Sequence, residues 1–145
     1  MKIRVKKVID GDSFDAEVTI ASNENGNTIY DPLILRCRIG NIDAPDRGEA
    51  HHLESKQYLK ELIEGKHLKV ELLEKDRYNR YVVIPYLNEQ RLDEYLVQNG
   101  MAWHFERHSG NAHLVELEQH AILEKAGIWS AEVMEKHFSR YYRTV

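Results

Sequence analysis

Three features of the sequence predict a mainly β domain with added helices. Five short segments carry strand-type patterning, an amphipathic helix separates the third from the fourth, and the other helical segments gather near the C-terminus. At 145 residues the chain is read as one domain, 1–145. A domain of that size buries about 68–70% of the surface its unfolded form exposes.

The β-branched run at residues 3–9 reads as a first strand that stops at Asp10-Gly11-Asp12, a turn signal. Phe14, Ala16, Val18 and Ile20 then alternate with polar residues, the period of a half-buried strand. Asn23–Asn27 reads as a loop, its Gly26 available for positive φ. After Pro32 the alternation resumes. Leu33, Leu35, Cys37 and Ile39 share one face, Ile34, Arg36 and Arg38 the other, and the strand ends near Asn41. Asp43-Ala44-Pro45-Asp46 follows as an irregular loop, because the residue before proline avoids helix.

Residues 49–63 are predicted helical, with Tyr58, Leu59, Leu62 and Ile63 as the apolar stripe and Gly65 past the end. Leu68, Val70 and Leu72 mark a fourth strand, and a charged turn, Glu74–Asn79, leads to a fifth at Tyr81–Leu87. Pro85 lacks a ladder donor, so that strand is expected at an edge or a bulge. A short helix is predicted at Leu92–Asn99, ended by Gly100. A longer one is predicted at Asn111–Ala126, ended by Gly127, with Leu114, Leu117, Ala121 and Ile122 inward. Ser130 is placed as the cap of a last short helix before a basic, aromatic tail, His137–Arg143. These elements fit a five-stranded Greek-key barrel of the oligonucleotide-binding (OB) type. They also fit a generic α+β domain, since periodicity does not give strand order.

Composition narrows the function. Twenty lysines and arginines against 24 acids leave a net charge of −4, which argues against bulk-charge coating of nucleic acid but not against a local basic groove. One cysteine, Cys37, excludes an internal disulfide and a cysteine-rich zinc module, and its alternation with Leu35 and Ile39 makes it a core residue. No apolar run approaches the roughly 20 residues a membrane helix needs. The N-terminal Met-Lys-Ile-Arg-Val-Lys-Lys lacks a signal-peptide core, so the expectation is a cytoplasmic protein, or a secreted one if a leader has been trimmed.

Carboxylates gather at two bends: Asp10, Asp12 and Asp15 at the first, Asp43 and Asp46 at the second. Taken singly, each cluster is plain turn chemistry. Converging from neighbouring strands, they would suit a hard cation that takes oxygen ligands. Arg38 precedes the second bend and Arg80 follows the charged turn; paired guanidiniums can hold a phosphodiester while charge builds on it. Any one of Arg36, Arg38 and Arg80 alone reads as a surface arginine. His104 and His108 are four apart but lack the glutamate of a zinc-protease motif, and the adjacent His51 and His52 point in different directions. Tyr78, in the charged turn, is the candidate base-stacking ring; Trp103 and Trp129 read as core.

Val8-Ile9-Asp10-Gly11-Asp12-Ser13, then Arg38 through Asp46 (RIGNIDAPD), then Asp76-Arg77-Tyr78-Asn79-Arg80 resemble the staphylococcal nuclease family, as do Leu92–Ala102 and Gly127-Ile128-Trp129. The resemblance implies an OB-fold barrel that hydrolyses DNA and RNA with calcium and leaves 3′-phosphate ends. It implies Asp12 and Asp43 as calcium carboxylates, with the Ala44 carbonyl as a further ligand, and Arg38 and Arg80 on the scissile phosphate. Asp46 takes the place of the family's glutamate, which orients or deprotonates the attacking water, and Arg77 and Tyr78 match positions that contact a terminal phosphate. Two departures stand out: Asp46 is one methylene shorter than glutamate, and Asn41 stands where many members have glycine. The expected partner is nucleic acid, with no membrane, and the expected state a monomer. Two other readings stay open, a catalytically silent module that binds nucleic acid or a protein, and a phosphodiesterase for small nucleotides.

Overall fold

The computed structural model describes residues 1–105 and 111–130. The strands are β1 (Lys2–Asp10), β2 (Ser13–Glu24), β3 (Asn27–Ile39), β4 (Ile42–Asp43), β5 (His67–Lys75), β6 (Tyr81–Leu87), β7 (Gln90–Arg91) and β8 (Trp103–His104). The helices are α1 (His52–Ile63), α2 (Leu92–Gln98) and α3 (His113–Leu123), followed by a 3-10 turn at Gly127–Trp129. The main sheet runs β3-β2-β1-β5-β6-β7, and a parallel pairing of Cys37–Ile39 with Tyr81–Val83 joins β3 to β6. That pairing closes β1, β2, β3, β5 and β6 into a ring. The helix α1 connects the third to the fourth of these strands, as the sequence predicts.

The core fills the ring from part of each predicted face; Ile20, Leu33 and Leu72, placed on the same faces by alternation, are exposed because their strand ends run past the core. Phe14, Ala16, Ile39, Leu59, Ile63 and Leu96 are fully buried, and Cys37 lies among them. Burial pushes the Cys37 thiol up to about 12, which keeps it protonated and inert. Pro85 pairs with Val70 at a point where β6 has left β3 and has not yet met β7, so its missing N–H breaks no second ladder.

Several boundaries differ from expectation. The loop predicted at Asn23–Asn27 is a two-residue turn, Asn25 and Gly26, both with positive φ, the geometry that matches strand twist in a hairpin. Paired main chains therefore continue unbroken from Ser13 with Arg38 to Glu24 with Asn27, and β3 begins well before Pro32. Pro32 fits because β3 has only β2 beside it there. The helix α1 starts at His52 rather than 49, since Gly48 and His51 hold left-handed φ values that no helix continues through. The helix α3 stops at Leu123 for the same reason, with Lys125 at positive φ. The two-residue strands β4 and β8 carry no periodic signal and were not predicted; they pair Ile42 with His104 and Asp43 with Trp103. The helix predicted after Ser130, the tail His137–Arg143 and His108 lie outside the described residues.

Gly127 has a different duty from ending a helix. Ile128 N–H donates to the Gly100 carbonyl at 2.9 Å, and a Cβ on Gly100 would come within 2.3 Å of the Ala126 carbonyl oxygen. Gly100 also sits at φ +70. The Asn99-Gly100 and Gly127-Ile128 segments thus pack backbone to backbone, which fixes the C-terminal turn against α2. Gly100→Ala combines that clash with left-handed strain and is expected to cost about 2–4 kcal/mol, read as a lower urea midpoint.

Candidate nuclease site

The turn between β1 and β2 carries Asp12. Asp10 shapes it: its Oδ1 accepts the Asp12 N–H at 3.2 Å and the Ser13 hydroxyl at 2.7 Å. Burial works against the Asp10 carboxylate, but hydrogen bonds from the Asp12 side chain, the Ser13 hydroxyl and the Asp12 N–H, together with the Arg38 charge, outweigh it and hold it below the usual range. Gly11 is required for closeness rather than for an unusual φ. A Cβ there would lie 2.0 Å from Ser55 Oγ and 2.8 Å from Ala44 Cβ. Ser55 on α1 is itself fully buried and donates to the Met101 carbonyl at 2.8 Å. Turn, helix and the Asp43-Ala44 segment are pressed together at one point, and the Ala44 N–H donates to Asp12 Oδ2 at 2.8 Å.

Arg38 is the hub. It stands opposite Ser13 in the β2–β3 ladder, one residue from Asp12. One guanidinium nitrogen lies 3.6 Å from Asp12 Oδ2 and 3.6 Å from Asp43 Oδ1, while the other donates to the Ile39 carbonyl at 2.6 Å. Two acids from separate bends thus converge on one point. Asp12 is only 7% exposed, and burial, opposed by Arg38, pushes its carboxyl up to about 8. Arg38 offsets only part of the effect of burial on this acid.

Arg38 and Arg80 line the same cleft, about 70 Å³ in volume, together with Asn41, Asp76 and Phe105. Arg80 is anchored to Asp76: its Nε donates to Oδ2 at 2.9 Å and its N–H to Oδ1 at 3.0 Å. Tyr78 N–H adds a bond to Oδ1 at 2.9 Å. Burial alone would raise the Asp76 carboxyl, but these donors outweigh it and hold it low. Arg77 and Arg80 both sit over the Tyr78 ring, 5.0 and 5.5 Å from its centroid, and Tyr78 is 64% exposed. These are the places of the predicted substrate residues Arg77 and Tyr78. The structure therefore gathers Asp12, Asp43 and Ala44 around Arg38, and Arg38 with Arg80 around the cleft. None of Asp12, Asp43, Ala44 and Asp46 lines that cleft, and Asp46 is set further apart by being exposed, three residues beyond Asp43. Its N–H donates to Glu49 Oε1 at 2.6 Å, and its carbonyl accepts from the Glu49 N–H. A larger open groove of about 710 Å³ lies on the outer face of β5 and β6, and none of the predicted site residues lines it.

The family model for staphylococcal nuclease homologues matches residues 36–131, a span that includes Arg38, both acids of the second bend and Arg80. The chain belongs to the staphylococcal nuclease family. An uncharacterized endonuclease of Escherichia coli O157:H7 is 30% identical over 128 residues, covering 88% of this chain and 76% of its own. An uncharacterized endonuclease of Haemophilus influenzae is 28% identical over 127 residues, 88% of this chain and 65% of its own. The staphylococcal-like nuclease CAN1 of Arabidopsis thaliana is 33% identical over 102 residues, 70% of this chain and 32% of its own. The chain thus spans less than two thirds of the length of the last two.

Sequence reasoning gives no site role to three residues of this staphylococcal nuclease homologue. Ser55 is one, legible only as a small polar residue one turn before Leu59 on the apolar stripe. His52 is another: its Nδ1 meets the Pro45 carbonyl at 2.9 Å and ties α1 to the acid-bearing loop. A carbonyl oxygen only accepts, so that nitrogen carries the proton. Asn41 is the third. It marks the bend at positive φ between β3 and β4 and lines the cleft. No group of three or more His, Cys, Asp or Glu side chains gathers as metal ligands among the described residues.

Proposed function

We propose that this domain is a calcium-dependent nuclease that hydrolyses phosphodiester bonds of DNA or RNA and leaves 3′-phosphate ends. The observation that carries the reading is the placement of Arg38, equidistant from Asp12 and Asp43 and sharing a cleft with Arg80. The donors at the bends are oxygens alone, the set a hard cation takes, and Asp12, Asp43 and the Ala44 carbonyl would hold it with waters completing the shell. Such an ion would supply positive charge to offset the charge that builds on the phosphate and to ease deprotonation of the attacking water. Arg38 and Arg80 grip the remaining phosphate oxygens and stabilise the added charge as the phosphorus gains its fifth oxygen. Asp46 orients the water and accepts its proton; the 5′-oxygen departs, taking a proton from solvent water, and the phosphate stays on the 3′ side. The short Asp46 side chain acts from the exposed loop, through one intervening water. Arg77 and Tyr78 meet the neighbouring phosphate or base. The expected state is a monomer. Among the described residues, no helix is long and apolar enough to cross a membrane.

The test is cleavage of matched single-stranded DNA and RNA oligomers with calcium and with chelator, followed by end-group analysis. Calcium-dependent cutting with 3′-phosphate products supports the proposal. Binding without cutting under any divalent ion overturns it in favour of the silent module.

A further inference from the structure

Resting on the nuclease reading for its occupant, we infer that the outer face of β1, with the start of β5, is a second contact surface for single-stranded nucleic acid. It holds the phosphate backbone of the strand that runs out of the site. Where β1 and β5 pair, Lys2 stands opposite Lys69 and Arg4 opposite His67. Ile3 and Leu68, the pair between them, are buried, so all four basic side chains lie on the outward face. Lys6 and Lys7 on β1, and Lys66 just before β5, are exposed beside them. Five lysines and Arg4 thus gather on two neighbouring strands of a chain whose net charge is −4.

Like charges placed directly opposite each other weaken a sheet. The acids of β2 that pair with this strip are few and already met. Glu17 lies 3.9 Å from Arg4, and Asp15, opposite Lys7, accepts from Arg36 Nε at 2.5 Å. Among the described residues Lys2 and Lys69 make no ion pair. The fold does not need their charge, since the inward Ile3, Val5, Leu68 and Val70 already anchor both strands. A row of cations that costs the sheet stability suits an anion long enough to span it, and a phosphate backbone carries a charge at every nucleotide. Position selects that polyanion. The strand β1 has no acid before Asp10 and leads straight to the bend that carries Asp12, about 15 Å along the chain from Lys7 and twice that from Lys2. The groove beyond His67 and Lys69 also holds Glu71 and Glu89, so the strand is placed over β1 rather than in that groove.

The experiment measures binding of a long single-stranded thymidine oligomer over a salt series, with chelator present to prevent cutting. It compares the wild type, the double variant Lys2→Gln, Lys69→Gln, and a control with the same charge change on exposed lysines elsewhere, Lys60→Gln, Lys125→Gln. Steady-state kinetics with calcium follow on the same oligomer and on a dinucleotide, which is too short to reach from the site to Lys2. The double variant is expected to bind the oligomer about tenfold more weakly and to lose about 1.4 from the slope of log affinity against log salt, 0.7 for each lysine. Its KM on the oligomer rises in proportion, while its dinucleotide kinetics match the wild type's. Its urea midpoint is equal or higher, because the opposed charges are gone. An unchanged salt slope, an equal loss in the control, or an equal loss on the dinucleotide overturns this surface and leaves the nuclease reading standing. Binding of phosphatidylserine vesicles without binding of the oligomer overturns it as well. A wild type that shows the salt-dependent binding but cuts neither substrate overturns the nuclease reading alone.

Discussion

Arg38→Ala is expected to slow phosphodiester cleavage by about 10²–10⁴-fold while tightening calcium binding in the absence of substrate. Both effects follow from one distance. The guanidinium nitrogen lies 3.6 Å from each carboxylate at the two bends, the space the proposed cation would enter. Two like charges in that space repel, so removing the side chain relieves the cation of a competitor. In the proposed reaction the same guanidinium would face the phosphate, where its loss would leave added negative charge uncompensated. A residue that merely held the fold would weaken both functions together. Calcium titration by calorimetry beside steady-state kinetics separates the cases, and weaker calcium binding in Arg38→Ala would contradict this account. Arg80→Ala is expected to lose turnover on a similar scale without the gain in calcium affinity, because its ion-pair partner is Asp76 rather than the acids at the bends.

Sequence alone makes this part of the site readable because the structure adds little to it. Asp12 adjoins Ser13, Ser13 faces Arg38 across the β2–β3 ladder, and Asp43 follows one bend later. Short connections leave these groups few places to go. The strands are legible where the core enforces alternation, as at Phe14 and Ala16 or Leu68 and Val70. They fade along residues 21–31, where the β2–β3 arm runs outside the core and main-chain pairing alone sustains it. What stays hidden depends on contacts between segments distant in sequence. Gly11 reads as a turn residue until Ser55 and Ala44 are seen against it, and Gly127 reads as a helix end until Gly100 is seen behind it. Asn41 shows in the sequence only as a departure from the family's glycine; that its side-chain oxygen is buried without a hydrogen-bond partner is visible only in the folded chain.

Asp12→Asn is expected to abolish calcium-induced stabilisation and to make the calcium-free protein more stable at pH 8. In the folded chain, burial raises this carboxyl from 3.8 to about 8. The folded state therefore holds a proton that the unfolded state releases. Below pH 4 both states are protonated and the group contributes nothing. Between pH 4 and about 8 the unfolded state is progressively favoured, because it ionises freely while the folded state does not. Above that range the folded carboxylate is charged and the whole penalty is present. Asparagine keeps an oxygen for the Ala44 N–H and carries no charge to desolvate. Its loss of the 3.6 Å contact with Arg38 is the smaller effect, since burial outweighs Arg38 in setting the direction of the shift. The gain at pH 8 with chelator present is expected to be at least about 1 kcal/mol, roughly the equivalent of one pKa unit, and to vanish near pH 4. Urea unfolding at the two pH values measures it. The wild type, with calcium added, is expected to recover the difference, because a cation between Asp12 and Asp43 removes the reason for the carboxyl to hold its proton, and Asp12→Asn is not. A variant that is less stable than the wild type at pH 8 under chelation would mean that the Arg38 contact, not burial, governs this acid.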